Sequence, residues 1–255
     1  MFADYCEDLA YEIAFWMQGY DEPTYPLGQL GGITRELCSN LRSLGIMVLL
    51  SHGKVDRFHH NLIRCGRVRC VFLDRIARER AIGEHDFVSS VNEPLFDAIA
   101  ANDLALAHRI AQTSPSDFRP GHEYEDDYCF TQLVIRLMDV GQNQVEIAAL
   151  LARMEAYLGK DDDTRLLLCR ALAGADQAAF DEAFNAFLDA RDKAITEDEE
   201  RGQLEEPPVM AQRHVYIEGL AMLRLAGMRG FATEREYRFC PSLARQLMVE
   251  PYPED

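Results

Sequence analysis

Apolar residues recur at every third or fourth position through most of the chain, and this spacing predicts α-helices. Near the N-terminus, Leu9, Ile13 and Trp16 follow it, and the pattern resumes over residues 34–53 after a stretch rich in Pro and Gly. Alternation of apolar and polar residues, which would predict β-strands, is nearly absent, and residues 235–241 (REYRFCP) are the one short candidate. The pattern therefore predicts an all-α fold.

Two segments have the turn residues expected of helical hairpins, in which a short turn joins two antiparallel helices. In residues 89–115 the turn falls at Asn102 and Asp103, and in residues 161–195 a similar turn falls just before Asp176. Small residues on the first hairpin would let its two helices approach closely. Two loosely matching hairpins do not make a repeat array, which would show a fixed period.

The residue that caps the first helix of each hairpin is harder to predict than the turn. Ser90 and Glu93 match a capping box, but Asn92 followed by Pro94 is an equally good helix start. Thr164 is the expected cap of the second hairpin.

No segment divides the chain into separate units. The stretch 196–209 has six acids, one Gly and two prolines, which indicates a solvated loop after a helix. The sequence that follows it is apolar enough to join the same core. We therefore expect one compact multi-helix domain over residues 1–255, built from antiparallel helical hairpins, with an acidic loop near 196–209.

Residues 54–80 form a basic segment in an otherwise acidic chain, with eight Lys and Arg against three acids. An apolar stripe runs along it, and Arg69 is expected at the edge of that stripe. The segment either packs beside an acidic helix of the same molecule or lines a ligand site, and the sequence leaves both open.

Overall charge narrows the choice of partner. The chain has 43 Asp and Glu against 26 Lys and Arg, which gives a net charge of −17. Such a charge favours solubility and repels phosphate, so nucleic acid is not the expected direct ligand and a basic protein is. No apolar run is long enough for a membrane span, and no signal peptide is recognised. Seven scattered cysteines indicate reduced thiols, so a cytoplasmic protein is expected.

The stretch HEYEDDYCF at residues 122–130 places four acids within five positions. Carboxylates at this density can hold a metal or act as acid and base, but no histidine has the Glu-x-x-His spacing of helical carboxylate–metal sites. The cluster directly follows Pro120 and Gly121, where a helix is expected to begin, and acids in a first helical turn are favoured by the helix dipole. We predict neither a metal nor a cofactor. A carboxylate–metal enzyme stays as an alternative with a weaker basis.

Glu218 is the one acid in the apolar helical stretch YIEGLAMLRLAG, residues 216–227. A carboxylate there needs a partner, and Arg224 or an arginine of the basic segment is the expected one.

Several of these segments together resemble the immunity-49 family of bacterial polymorphic-toxin immunity proteins. The resemblance rests on a helical hairpin followed by EYEDDY at the start of a helix, then on residues 216–231 (YIEGLAMLRLAGMRGF) and 237–245 (YRFCPSLAR). It extends from about Tyr5 to Arg245. It implies a cytosolic antitoxin without catalytic activity, which binds and neutralises a cognate toxin or effector protein.

An acidic antitoxin suits a toxin with a basic, phosphate-binding cleft, so a nuclease delivered by a secretion system is the expected partner. Two acidic runs, the first with its two tyrosines, are the predicted contact residues: Glu123, Tyr124, Glu125, Asp126, Asp127, Tyr128, Glu197, Asp198, Glu199 and Glu200. One of the tyrosines and Phe130 are expected to anchor the first run to the core. A helical adaptor or secretion chaperone that binds a peptide is the alternative.

Overall fold

The computed structural model describes residues 2–20, 22–79, 86–141, 143–159, 163–202 and 207–253. Within these ranges the chain is α-helical, with one short 3-10 helix, and the all-α prediction is confirmed. The elements, in chain order, are α1 (Phe2–Tyr20), α2 (Leu27–His52), α3 (Val55–Glu79), α4 (Glu93–Ala100), α5 (Leu104–Thr113), α6 (Glu125–Leu137), α7 (Gln144–Leu158), α8 (Thr164–Gly174), α9 (Gln177–Glu200), α10 (Pro207–Gln212), α11 (Ile217–Met228) and η1 (Ser242–Arg245).

The long helices α2 and α3 form the central pair. Gly53, in a left-handed conformation with φ 62°, ends α2, and its amide donates to the carbonyl of Leu49 as in a standard helix C-cap. Gly45 lets α3 come close, because a Cβ there would lie 3.2 Å from the Phe58 carbonyl oxygen. On the other side of α3, a Cβ at Gly66 would lie only 2.6 Å from the Leu106 side chain of α5. The two glycines therefore fix how closely three helices pack.

Both predicted hairpins are present. Between α4 and α5, Asn102 adopts a positive φ of 63°, and the Asp103 carboxylate accepts a hydrogen bond from the Leu106 amide at 3.0 Å. Between α8 and α9, Ala175 has φ 53° and Asp176 accepts from the Ala179 amide at 3.1 Å. The same device, a left-handed residue followed by an aspartate N-cap, therefore closes both turns.

Helices α4 and α8 begin after Asn92 and Asp163, respectively. Asn92 and not the Ser90 capping box precedes α4, and the Asn92 side chain donates to the Thr131 hydroxyl instead of capping the helix. The cap of α8 is Asp163 and not Thr164, since the Asp163 carboxylate accepts from the amides of Arg165 and Leu166. The carboxylate reaches two free amides of the first turn, which explains the shift by one residue.

The C-terminal segment joins the core through aromatic rings on α9. Their partners are all C-terminal to α10, with ring centroids about 5 Å apart: Phe180 with Phe231 at 5.0 Å, Phe184 with Tyr237 at 5.0 Å, and Phe187 with Tyr216 at 5.2 Å. The strand candidate at 235–241 is a turn closed by an isolated bridge between Tyr237 and Cys240. Phe239, with φ 63°, makes that turn too tight for a strand.

The acidic loop is shorter than the sequence predicts. Helix α9 continues through Glu200, and α10 begins at Pro207, so part of the stretch 196–209 is helical. Residues 203–206 lie outside the described part of the chain.

Helix α3 is the basic segment, and it packs on α2, α4 and α5, of which α4 carries two acids and no basic residue. Arg69 is 1% exposed and lies inside the core, not at the edge of the apolar stripe. One guanidinium nitrogen donates to the Asp86 carbonyl at 2.8 Å, while Nε and Nη2 have no partner among the described residues. Arg80, at the end of the segment, lies outside those residues. Over the described ranges no helix is long and apolar enough to cross a membrane.

Candidate functional site

The first predicted run of contact residues, which starts at Glu123, begins before helix α6. Gly121 has φ 81° and lies in a turn, and α6 starts at Glu125 with Tyr124 at the N-cap position. The expected helix start at Gly121 is therefore wrong, because the left-handed glycine directs the chain through a turn first. Glu123 consequently precedes α6 and does not share a helical face with Asp127.

Glu123 holds two loops together. Its carboxylate accepts hydrogen bonds from the Ser90 amide at 2.9 Å and from the Arg119 amide at 3.0 Å. Hydrogen bonds from amides to a charged acceptor are stronger than neutral ones. Glu123 therefore stabilises the turn that precedes α6 by linking it to the loop at Ser90.

The other acids of the run are ion-paired with arginines of neighbouring helices. Arg165, on α8, binds Asp127 at 2.7 Å, Asp126 at 2.8 Å and Asp163 at 3.0 Å. Burial alone would lower the pKa of Arg165, but the carboxylates of Asp163 and Asp127 raise it above its ordinary value. Arg165 thus ties the start of α6 to the start of α8.

A second arginine completes this network. Arg153, on α7, binds Glu125 at 2.7 Å and lies over the ring of Tyr128 at 4.9 Å. We refer to Glu123, Glu125, Asp126, Asp127 and Asp163 as the α6 acidic cluster. Four of these five carboxylates are paired with two guanidinium groups and the fifth with backbone amides, which leaves an excess of three negative charges.

The two tyrosines of the run have different environments. Tyr124 is 72% exposed, whereas Tyr128 is 7% exposed and donates its hydroxyl proton to the Ser116 carbonyl at 2.8 Å. Tyr128 is therefore the tyrosine that reaches the core, beside Phe130. Tyr157, 50% exposed, lies one helical turn after Arg153, at the same end of the α6–α7 pair as Tyr124.

The second acidic run lies in the last turn of α9, and basic side chains neutralise more of its charge than they do at α6. Glu197 is paired with Arg201 at 3.3 Å and Lys193 at 3.9 Å, and Asp198 also meets Arg201 at 3.6 Å. Glu199 binds Arg213 at 2.6 Å. Four acids here face three basic groups, an excess of only one negative charge.

One buried ion pair was not predicted from the sequence. Arg42 of α2 binds Asp97 of α4 through two bonds of 2.8 and 2.6 Å, and Asp97 is fully buried. Burial raises the pKa of Asp97, although the guanidinium of Arg42 opposes the shift. An aspartate among the apolar residues of α4 was the available signal, because an unpaired charge there would be costly.

Three adjoining cavities form one groove beside this pair. Cavities of about 170 and 330 Å³ share Arg42, Glu93 and Gln212, and a third of about 380 Å³ shares Arg191 and Tyr216 with the first. Arg191 lies over the Tyr216 ring at 5.1 Å. Five arginines and three acids are among the residues that line it, so the groove suits charged groups rather than an apolar peptide.

Glu218 lines this groove. Burial raises its pKa from an ordinary 4.5 to about 7, and the charges of Arg165 and Arg191 with the Tyr216 hydroxyl offset only part of that effect. Arg224, the expected partner, instead donates a long bond of 3.4 Å to the Arg245 carbonyl. The prediction of Arg224 is wrong because the side chains at 218 and 224 lie on different faces of α11.

In the described ranges, no group of three or more His, Cys, Asp or Glu side chains is arranged to hold a metal ion. His85 lies outside those ranges.

Comparison with known proteins agrees with the resemblance seen in the sequence. The sequence model of a family described as immunity protein 49 matches residues 58–244, from α3 to the 3-10 helix. No curated protein and no solved structure matches the chain. Because the family match covers well over half of the chain, this protein belongs to the immunity protein 49 family.

Proposed function

We propose that this immunity protein is a cytoplasmic antitoxin that binds a toxin with a basic, nuclease-type surface, delivered by a secretion system, and neutralises it by covering that surface. It acts by binding, not by catalysis, and without a cofactor. Family membership supports the immunity role. The observation that supports a basic partner is the excess of three negative charges at the α6 acidic cluster, in a chain of net charge −17.

The ion pairs within the cluster change which residues are expected to contact the toxin. A carboxylate that is already paired with an arginine still contributes its field at long range, where charge steers association. Close contacts fall to exposed side chains, and Tyr124 is far more exposed than Tyr128. Tyrosines of this kind are frequent binding hot spots. Of the two predicted runs, the one at residues 197–200 has the smaller excess of negative charge, so it is the less favoured contact with a basic toxin.

Growth tests examine the immunity role directly. Expression of the neighbouring toxin gene alone should arrest growth, and co-expression of this chain should restore it. The purified toxin should cleave DNA or RNA, and one equivalent of this protein should stop the cleavage. Growth arrest without nucleic-acid cleavage would keep the immunity role and exclude a nuclease, whereas failure to restore growth would exclude the immunity role itself.

A second measurement tests the α6 acidic cluster. Tyr124→Ala removes an exposed ring and should weaken toxin binding about tenfold or more, which corresponds to a loss of about 1.4 kcal/mol or more. Asp127→Asn preserves the shape of the side chain and should lower the association rate at low salt. Glu182→Gln, which neutralises an exposed acid of α9 outside both predicted runs, is the matched control and should change neither. Equal behaviour of all three variants would move the interface away from α6.

A further inference from the structure

Helix α1 has an outward face of aromatic and acidic side chains. Its exposed aromatic residues are Tyr5 at 41%, Tyr11 at 76% and Phe15 at 59%. In the described part of the chain, three of the five exposed aromatic side chains lie on this one helix, the others being Tyr124 and Tyr157. Large exposed rings so close together are unusual on a surface without a partner.

Acids are interleaved with these rings. Asp8 and Glu12 are exposed, and the spacing of three and four residues places them with Tyr5, Tyr11 and Phe15 on one side of the helix. The stripe from Tyr5 to Phe15 is about 15 Å long at the rise of an α-helix. Among the residues that the structure describes, neither Asp8 nor Glu12 has an ion-pair partner, in contrast to the acids at the start of α6.

The opposite side of α1 is firmly anchored. Leu9, Ile13 and Tyr20 are each no more than 4% exposed, and the helix packs along α2. The Tyr20 hydroxyl donates to the Val68 carbonyl of α3. The backbone that carries the outward rings is therefore fixed before a partner binds, and only the side chains themselves lose conformational entropy on binding.

The charge around the stripe selects the partner. Residues 1–34 contain six acids and no Lys, Arg or His. A second copy of the same face would be repelled, and so would nucleic acid or an anionic lipid surface. A basic protein surface with apolar or cationic side chains complements it, because lysines and arginines can both pair with the acids and lie over the aromatic rings.

We propose that the outward face of α1, centred on Asp8, Tyr11, Glu12 and Phe15, is a docking surface for the basic surface of the cognate toxin. The inference rests on the proposed function and names a surface of the same interaction. Helix α1 lies outside residues 58–244, the segment matched by the family. A contact outside the shared segment is suited to recognition of one particular toxin among several related ones.

The test uses the full chain and the purified toxin domain encoded by the neighbouring gene. The double variant Tyr11→Ala/Phe15→Ala should weaken binding about 100-fold, mainly through faster dissociation, since buried aromatic anchors govern residence time. The double variant Asp8→Asn/Glu12→Gln should lower the association rate about tenfold at low salt and flatten its salt dependence. Both should leave the helical circular dichroism and the melting temperature close to those of the wild type.

Exposed side chains elsewhere provide matched controls. Val145→Ala on α7 removes an apolar side chain that is 85% exposed, and Glu182→Gln neutralises an exposed acid on α9. Neither control should change the affinity by more than about twofold, since isolated surface substitutions have small effects.

The outcomes separate this inference from the proposed function. Wild-type protein that fails to bind the toxin overturns both. Wild-type binding that the two α1 variants leave unchanged overturns the docking role of α1 alone. A wild-type dimer in light scattering that Tyr11→Ala/Phe15→Ala converts to a monomer assigns the face to self-association and overturns the inference as well.

Discussion

The start of α6 and the outward face of α1 are both acidic and aromatic, yet their acids are used differently. At α6, Arg153 and Arg165 pair with four carboxylates, and backbone amides hold the fifth. On α1, Asp8 and Glu12 have no ion-pair partner in the described ranges, and the rings beside them face solvent. At α6 four acids fall within five positions, yet these carboxylates stabilise the fold, so the density of acids in the sequence is a poor guide to a binding surface.

The difference has a physical cause in the neighbouring helices. Arginines on α7 and α8 come within reach of α6 because those helices pack against it. Helix α1 packs mainly along α2, and its outward side meets no other described element closely. Whether a carboxylate is free for a partner is therefore decided by tertiary packing.

Removal of the shared guanidinium should have the largest effect on stability. In Arg165→Ala, the carboxylates of Asp126, Asp127 and Asp163 lose their common partner and repel one another. Because Arg165 is partly exposed, with 24% of its side chain in solvent, we expect the free energy of unfolding to fall by about 2 to 3 kcal/mol, less than for a fully buried pair. Urea denaturation followed by circular dichroism measures the loss. A change below about 0.5 kcal/mol would show that the α6 acidic cluster does not stabilise the fold.

Glu218 should make stability depend on pH in a definite direction. Its pKa is about 7 in the folded chain against an ordinary 4.5, so between these pH values the folded state holds a proton that the unfolded state has released. The free energy of unfolding should therefore decrease as pH rises from about 4.5 to about 7, by an amount on the order of 2 kcal/mol.

Glu218→Gln is the reference for this measurement, because glutamine does not titrate. His59, whose pKa is lowered to about 4 by burial, contributes in the opposite direction as pH falls from its ordinary 6.5. Both proteins contain His59, so the difference between their pH profiles isolates Glu218. Parallel profiles from pH 5 to pH 8 would contradict the raised pKa of this carboxyl.

The sequence predicted more of the fold than of the site. Helical spacing and the turns at Asn102 and Asp176 were sufficient for the all-α class and both hairpins, because these features are local. The burial of Arg69, the pairing of Arg42 with Asp97, and the surroundings of Glu218 depend on helices distant in sequence. For the same reason the ion pairs that hold Asp126 and Asp127 could not be read from the acidic run itself.

Loss of a helix cap at the edge of the α6 acidic cluster should have a moderate effect. Asp163→Ala removes the acceptor for the Arg165 and Leu166 amides and one of the three carboxylates around Arg165. We expect a loss of about 1 kcal/mol, typical of an N-cap aspartate. Asp163→Asn is the control, since asparagine still caps the helix, and it should retain most of the stability. If both variants were equally destabilised, the charge and not the cap would be the dominant contribution.

Neutralising the acids of α1 should have the smallest effect on stability, and with the opposite sign. Asp8 and Glu12 are four residues apart on one helical face, where like charges repel by roughly 0.2 to 0.5 kcal/mol. Asp8→Asn/Glu12→Gln should therefore raise the free energy of unfolding by about 0.3 kcal/mol, whereas neutralisation at α6 lowers it. Urea denaturation at low salt measures this difference, which should vanish at high salt because exposed charges are screened. A clear loss of stability would mean that these acids support the fold after all. A small gain, together with slower association with the toxin, would mean that α1 keeps an unfavourable pair of charges for the sake of its partner.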